Sequence, residues 1–129
     1  MIDYSINKPL YLQIADHVCE QILQGVWTPE ERIASARELG VTLSVNMHTV
    51  AKSFDYLQDK QILFQRRGIG YFVEKDGIKR IREMYKTEFF KTDLPYLFKK
   101  MQKLNVSVRE IVLEYEKCQN NFVSLRIQN

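Results

Sequence analysis

The first part of the chain has apolar residues at spacings of three and four, the pattern of an amphipathic helix. This pattern begins after Pro9 and ends before Gly25, and its apolar positions are Leu10, Ile14, Val18, Ile22 and Leu23. Proline is favoured in the first turn of a helix, and glycine is favoured just past the end of one. We therefore predict a first helix over about residues 9–24.

Two shorter helices are predicted next. Ser35 precedes Glu38 by three residues, a capping-box signature that opens a second helix with Leu39 turned inward. After a turn at residues 43–45, Asn46 is a good N-cap for a third helix.

The third predicted helix has two different faces. Val50, Phe54 and Leu57 share one side, at positions i, i+4 and i+7. His48 and Lys52 point the opposite way, one turn apart, because successive helical residues turn by about 100°. The helix is therefore expected to be anchored on one face and to present polar groups on the other.

A hairpin follows the three helices. Residues 62–65 and 71–74 are predicted strands, and the tip between them carries Arg66, Arg67, Gly68 and Gly70. The glycines allow positive backbone torsions at this tip. Two short helices followed by a basic hairpin are what a winged helix-turn-helix needs to place one helix in the major groove and the hairpin beside it. The sequence therefore predicts a DNA-binding transcription regulator.

The second part of the chain is predicted to be helical. Asp76 can cap a helix whose apolar period runs on to Leu104, and residues 92–95 predict a kink or restart, because Pro95 is tolerated only in a first turn. Ser107 and Glu110 form a second capping-box signature, which opens a last helix through Cys118. The tail from Asn120 fits either a docked arm or a disordered end.

The predicted fold class is mainly α with a small β-hairpin. Residues 1–75 form the winged helix-turn-helix DNA-binding domain, and residues 76–129 form a two-helix dimerisation arm. Two helices in 54 residues cannot enclose all of their aromatic side chains, so we expect them to pack on a second copy. Packing onto the first helix of the same chain is the alternative. The predicted dimerisation residues are Tyr85, Phe89, Phe90, Leu94, Leu97, Phe98, Met101, Ile111 and Tyr115.

The net charge of +3 adds little to this interpretation. Residues 1–75 contain 8 basic and 9 acidic residues, whereas residues 76–129 contain 11 and 7. Phosphate binding depends on local placement, and Arg37, Lys52, Arg66 and Arg67 fall where the motif needs a cation.

Other classes of function find little support. No apolar run has the roughly 18–20 residues of a membrane span, and the chain start lacks the regions of a signal peptide, so we expect a cytoplasmic protein without membrane contact. Cys19 and Cys118 belong to no metal-binding motif and are predicted to be buried thiols. His48 would need further ligands to bind zinc, and the other histidine, His17, lies on the first helix. No catalytic motif is present, so we expect neither an enzyme nor a cofactor.

A set of residues between Pro9 and Val73 is specific when taken together. It consists of Pro9-Leu10-Tyr11, Gln13-Ile14, Ile22, Gly25, Pro29, Ser35-x-Arg37-Glu38-Leu39, Val45-Asn46, Thr49-Val50 and Arg66-Arg67-Gly68-x-Gly70-x-Phe72-Val73. This set, which covers about half of the chain, resembles the amino-terminal domain of GntR-type bacterial regulators.

The remaining stretch resembles one subfamily. Its segments Glu88-Phe89-Phe90, Asp93-Leu94-Pro95 and Ser107-Val108-Arg109-Glu110 look like the short helical tail of YtrA-like regulators, and the larger effector domains of other subfamilies need more than the 54 residues that follow Lys75. The chain departs from the family pattern at Glu30, Ala34 and Met47. The first two are expected to change a turn, whereas Met47 removes a base donor and alters the expected operator.

The resemblance implies a role for ten residues. Arg37 would contact guanine or phosphate, and Ser35 would contact phosphate near a helix N-terminus. The predicted groove-facing set is Asn46, His48, Thr49 and Lys52, and the predicted wing contacts are Arg66, Arg67, Gly68 and Gly70.

Structural roles without DNA contact are the alternatives for the same residues. Arg37 would then form an i, i+4 pair, Ser35 would only cap its helix, and the wing arginines would only be solvated. The resemblance implies a homodimeric repressor on an inverted-repeat operator. It leaves open whether a small effector controls binding. The competing function is a winged-helix module that binds protein without sequence-specific DNA recognition.

Overall fold

The computed structural model describes the backbone of residue 2 and of residues 7–128, and the side chains of residue 2 and of residues 7–121. The chain forms two compact units, Met1–Tyr85 and Lys86–Asn129. The boundary that we predict after residue 75 lies before a helix whose first nine residues belong to the first unit.

Three helices form the main part of the first unit and agree with the sequence prediction. They are α1 at Leu10–Leu23, α2 at Ala36–Leu43 and α3 at Met47–Asp59. The inward face of α3 consists of Val50, Phe54 and Leu57, all of which are fully buried. The predicted apolar face of α3 is thus confirmed. The hydrophobic core also contains Ile14, Ala15, Val18, Cys19, Ile22, Ile33, Leu39, Leu43, Ile62, Leu63, Val73 and Ile81.

Helix α1 ends at the glycine that the sequence indicates. Gly25 has a φ of +81°, the left-handed conformation that glycine adopts without steric cost. The amide of Val26 donates to the carbonyl of Gln21 at 2.9 Å, and that of Gly25 donates to Ile22 at 3.1 Å. These two bonds form a Schellman motif, which satisfies carbonyls that a helix end would otherwise leave free.

A tight turn joins α2 to α3. Ser44 has a φ of +56°, and the amide of Val45 donates to the carbonyl of Gly40 at 2.9 Å. A Cβ atom on Gly40 would lie 2.9 Å from the carbonyl oxygen of Val45, closer than packed atoms tolerate. Only glycine therefore fits where the backbone of the turn approaches α2.

The predicted hairpin is present, and a third segment extends it. Strands β1 at Leu63–Arg66 and β2 at Gly70–Val73 pair antiparallel, with Phe64 opposite Phe72. On the other edge of β2, Arg32 forms a bridge with Phe72, and the amide of Ile33 donates to Tyr71 at 3.0 Å. We refer to β1, β2 and residues 30–33 together as the wing. Its middle strand is β2.

The remaining chain is helical. Helix α4 spans Gly77–Glu88, a π-helical turn spans Phe89–Asp93, α5 spans Leu94–Leu104 and α6 spans Val108–Gln128. The predicted interruption lies at the π-helical turn, and Pro95 lies in the first turn of α5, where proline is tolerated. Ser107 caps α6, since its hydroxyl oxygen accepts from the amide of Glu110 at 3.2 Å.

Two sequence-based expectations need adjustment here. The prediction of two buried thiols is correct for Cys19 and wrong for Cys118, which is exposed on α6 because no described residue covers it. The tail from Asn120, which the sequence fits to either a docked arm or a disordered end, has a helical backbone to Gln128, while its side chains beyond Asn121 lie outside the described residues. No helix in the described part of the chain is long and apolar enough to cross a membrane.

Candidate nucleic-acid interface

The N-terminus of α3 is held by its cap. The side-chain oxygen of Asn46 accepts a hydrogen bond from the amide of His48 at 2.8 Å, which satisfies one free backbone donor of the first turn. Asn46 and His48 are both exposed. The cap uses the side-chain oxygen of Asn46 as an acceptor, so the amide nitrogen of this exposed side chain is the group that can donate to a base edge or a phosphate.

The polar face of α3 is set by the way its other face packs. Ser53 is fully buried, and its hydroxyl donates to the carbonyl of Tyr11 on α1 at 2.6 Å. The Nζ atom of Lys52 lies 4.1 Å from the centre of the Tyr11 ring, a cation–π contact worth about 0.5–1 kcal/mol at an exposed site. Tyr11 therefore directs the Lys52 ammonium group, and Thr49 lies half-buried beside it.

The start of α2 presents a second group of polar atoms. Ser35 and Glu38 form the full capping box, with the amide of Glu38 donating to Ser35 Oγ at 3.1 Å and the amide of Ser35 donating to the Glu38 carboxylate at 3.3 Å. Hydrogen bonds from Ser35 lower the pKa of Glu38 and keep it ionised. The predicted capping box is confirmed, and a phosphate role for Ser35 stays a prediction.

Arg37 projects from the first turn of α2 and is exposed. Its i, i+4 neighbours are Ile33 and Val41, which are apolar. No carboxylate in the described part of the chain pairs with it. The structure therefore gives Arg37 no partner for the alternative role in a helix ion pair, and its guanidinium group is available to a ligand.

The tip of the wing is a β-turn. The amide of Ile69 donates to the carbonyl of Arg66 at 3.0 Å, and Gly68 has the φ of +78° that the third position of a type II turn requires. Arg67 occupies the second position and is exposed. A Cβ atom on Gly68 would meet no atom within 4 Å, so Gly68 is needed for its torsion rather than for space.

Arg66 lies across two aromatic rings. Phe64 and Phe72 stack with ring centres 5.5 Å apart, and the guanidinium carbon of Arg66 lies 5.0 Å from the Phe72 centre and 5.7 Å from the Phe64 centre. Stacking on a ring leaves the edge of a guanidinium group free to donate hydrogen bonds. The wing thus holds Arg66 in place without occupying its donors.

All ten predicted DNA-contacting residues lie in the first unit, at three places. Asn46, His48, Thr49 and Lys52 lie at the start of α3, Ser35 and Arg37 lie at the start of α2, and Arg66, Arg67, Gly68 and Gly70 lie on the wing. Sequence reasoning missed Arg32 and the Tyr11 contact. Both depend on pairing between distant segments, which no local spacing could have indicated.

The predicted dimerisation residues divide between the units. Tyr85 lies in the first unit, where its hydroxyl donates to Asp16, so this residue packs within its own chain. The other eight lie in the second unit, where no residue of α5 or of the π-helical turn is buried. Phe89, Phe90 and Phe98 are about half exposed, at 46%, 55% and 50%.

Comparison with known proteins identifies relatives over most of the chain. A crystal structure described as a transcriptional regulator of the GntR family from Bacteroides thetaiotaomicron is 36% identical, covers 94% of this chain and 100% of its own, and has a TM-score of 0.73. YtrA from Sulfolobus acidocaldarius, a GntR-family transcription factor, is 31% identical over 94% of this chain and 97% of its own, with a TM-score of 0.53.

Two further comparisons agree with these structures. The transcriptional repressor YtrA of Bacillus subtilis is 27% identical over 118 residues, which are 85% of this chain and 89% of the repressor. Residues 10–73 match the family described as bacterial regulatory proteins of the gntR family. These residues run from the start of α1 to the end of β2. The chain therefore belongs to the GntR family of transcription regulators, with a DNA-binding helix-turn-helix domain, and is not an enzyme.

Proposed function

We propose that the chain is a homodimeric repressor that binds an inverted-repeat operator. In this proposal α3 enters the major groove and reads bases with Asn46, His48, Thr49 and Lys52. Ser35 and Arg37 hold the start of α2 against the DNA, and the tip of the wing contacts the adjacent backbone or minor groove.

The observation that carries the proposal is the free polar face of α3. His48 and Lys52 are exposed, while Val50, Phe54 and Leu57 on the other side are fully buried. A helix that is buried along one face and capped by Asn46 presents a rigid row of donors and acceptors, as readout of base edges requires. Two exposed arginines, Arg37 and Arg67, supply charge for the phosphates on either side.

The dimer rests on the second unit. Tyr96 is 62% exposed, Leu97 is 37% exposed and Tyr115 is 62% exposed, in addition to the half-exposed Phe89, Phe90 and Phe98. A single small protein rarely exposes so many large apolar side chains, and a matching copy would cover them. A two-fold dimer presents two copies of α3, which matches an inverted repeat. The name of the Bacillus subtilis relative supports repression as the direction of control.

In vitro selection from random duplex DNA at physiological salt tests the proposal. The full chain is compared with an Arg37→Ala, Arg67→Ala double variant, which lacks one predicted contact on α2 and one on the wing. An Arg82→Ala, Lys86→Ala variant is the matched control, because it removes two exposed positive charges from α4. The proposal predicts an inverted repeat that the wild type and the control enrich and that the double variant loses.

Other outcomes separate the competing functions. A half-site without a repeat would contradict the dimer and support DNA binding by a single copy. No enrichment would contradict DNA readout by the chain alone. Repeating the selection with a small-molecule extract of the host cells would then distinguish an effector-dependent regulator from a module that binds protein.

A further inference from the structure

Two arginines from opposite edges of the wing lie over its middle strand. In antiparallel pairs, residues directly opposite each other point to the same face of the sheet. Phe64 pairs with Phe72, Arg66 pairs with Gly70, and Arg32 bridges to Phe72. These five residues therefore share one face, which we call the outer face of the wing. Leu63 and Val73 point the other way, into the core.

The side chains of both arginines extend over β2. Arg66 places its guanidinium carbon 5.0 Å from the centre of the Phe72 ring. The Nε atom of Arg32 lies 3.0 Å from the point that a Cβ atom on Gly70 would occupy, and its Cγ and Cδ atoms lie 3.8 Å from the same point. Gly70 and Phe72 are neighbours on one face of the strand, about 7 Å apart. The two cations therefore lie over adjacent positions of the same strand.

This arrangement is unfavourable without an anion. Neither Arg32 nor Arg66 forms an ion pair within the described part of the chain, although like charges on one face of a strand repel each other. The charge of Arg32 is the last of the causes that lower the pKa of Glu38, after the hydrogen bonds with Ser35 that already hold this carboxylate. Guanidinium groups bind phosphate oxygens through paired N–H donors, so one phosphate can satisfy both side chains.

We propose that Arg32 and Arg66 together bind one backbone phosphate of duplex DNA. The segment just before α2 is then part of the DNA-contacting surface of the wing. Gly70 leaves the space through which the Arg32 side chain crosses β2. This inference rests on the proposed DNA binding, and it adds Arg32, which lies in neither the helix-turn-helix nor the hairpin tip.

Equilibrium binding of the full-length protein to a fluorescent 30-base-pair random duplex tests the inference over a range of KCl concentrations. The variants are Arg32→Gln, Arg66→Gln and the double variant, and Arg82→Gln on α4 is the control for loss of one exposed charge. Each neutralised phosphate contributes about 0.9 to the slope of log affinity against log salt. One shared phosphate predicts that the double variant loses about 0.9 of the slope. Two separate phosphates would cost the double variant about 1.8.

Further comparisons make the result specific. The affinity lost in the double variant should be larger than the product of the two single losses, since either arginine alone leaves the other on the phosphate. In the Arg66→Gln background, Arg32→Lys should keep most of the salt slope that Arg32→Gln removes, because lysine keeps the charge, which a purely structural role for the fork of Arg32 would not predict. Circular dichroism melting of each variant excludes a loss of fold as the cause.

Two results would overturn different claims. If the wild type binds DNA and the double variant matches Arg66→Gln in both affinity and slope, Arg32 makes no contact, so the inference fails and the proposed function stands. If the wild type shows no salt-dependent affinity for any duplex, the proposed DNA binding itself fails. A slope loss near 1.8 in the double variant would contradict the shared phosphate.

Discussion

Tyr85 on α4 donates a hydrogen bond from its hydroxyl group to Oδ1 of Asp16 on α1. The other oxygen of the same carboxylate is paired with Lys8. Burial raises the pKa of Tyr85, so the hydroxyl stays protonated and remains a donor. One aspartate thus connects the start of the chain, α1 and the end of the first unit.

Loss of this bond should weaken the first unit. Tyr85→Phe removes the donor and keeps the ring, and hydrogen bonds to charged groups contribute about 1.5–3 kcal/mol, so we expect a loss of ~2 kcal/mol in the free energy of unfolding. Urea unfolding followed by fluorescence of Trp27, the one tryptophan, reports on the first unit alone. Tyr96→Phe in the second unit is the control. Equal midpoints for the two variants would contradict the prediction.

The tight turn between α2 and α3 predicts a sensitive glycine. Gly40→Ala places a Cβ atom 2.9 Å from the carbonyl oxygen of Val45, and because backbone atoms cannot move aside cheaply, α3 must shift. Overpacking of this kind costs about 1–3 kcal/mol. We expect loss of that stability together with loss of sequence-specific DNA binding, measured by denaturation and anisotropy.

Gly25→Ala is the matched control for this substitution. It strains a positive φ of +81° but meets no atom within 4 Å. It should therefore cost about 1 kcal/mol through the backbone and leave DNA affinity unchanged. If Gly25→Ala impaired DNA binding as much as Gly40→Ala, general destabilisation rather than the position of α3 would be responsible.

The two cysteines should differ sharply in reactivity. Burial raises the pKa of Cys19 to about 12, while Cys118 is exposed. At pH 8 the native protein should react with a disulfide reagent at one thiol per chain, because the thiolate is the reactive form. Cys118→Ser should remove this fast reaction, and urea should expose Cys19. Fast labelling of native Cys118→Ser would show that the first unit opens readily.

The apolar face of α5 should control assembly if the proposed dimer is correct. Phe98→Glu puts a charge among side chains that we expect a partner to cover, and an unpaired charge in an interface costs several kcal/mol. Sedimentation equilibrium should then show a dimer for the wild type and a monomer for the variant at micromolar concentration. Lys103→Glu, on the opposite side of the same helix, should remain dimeric. A wild-type protein that sediments as a monomer would contradict the proposed dimer.

Local signals predicted most of the architecture. Three features depend only on a few neighbouring residues, and each forms as expected: the capping box at Ser35, the apolar period of α3 and the glycines of the wing tip. The exposure of Cys118 could not be predicted in this way. A cysteine at an apolar spacing is buried only if another element covers it, and helical period says nothing about what covers a face.

In the candidate site too, some residues follow from local sequence and others depend on contacts between distant segments. Residues of the helix-turn-helix follow from spacing along a single helix, but Arg32 reaches the wing only through its pairing with Phe72. The contact of Tyr11 with Lys52 likewise joins two helices. Interactions between segments distant in sequence are therefore where reading the chain alone missed parts of the surface.

The strand pairing between Ile33 and Tyr71 also has a consequence for the order of folding. The hydrogen bond from the amide of Ile33 to the carbonyl of Tyr71 joins residues that are almost forty positions apart. The hydrogen bonds within each helix join residues only four positions apart. Long loops are slow to close, so contacts of this kind form after local ones. During synthesis the three helices can form before the last strand exists. The wing is completed only after residue 73 has left the ribosome, so in the proposed function a nascent chain has its full DNA-contacting surface only from that point.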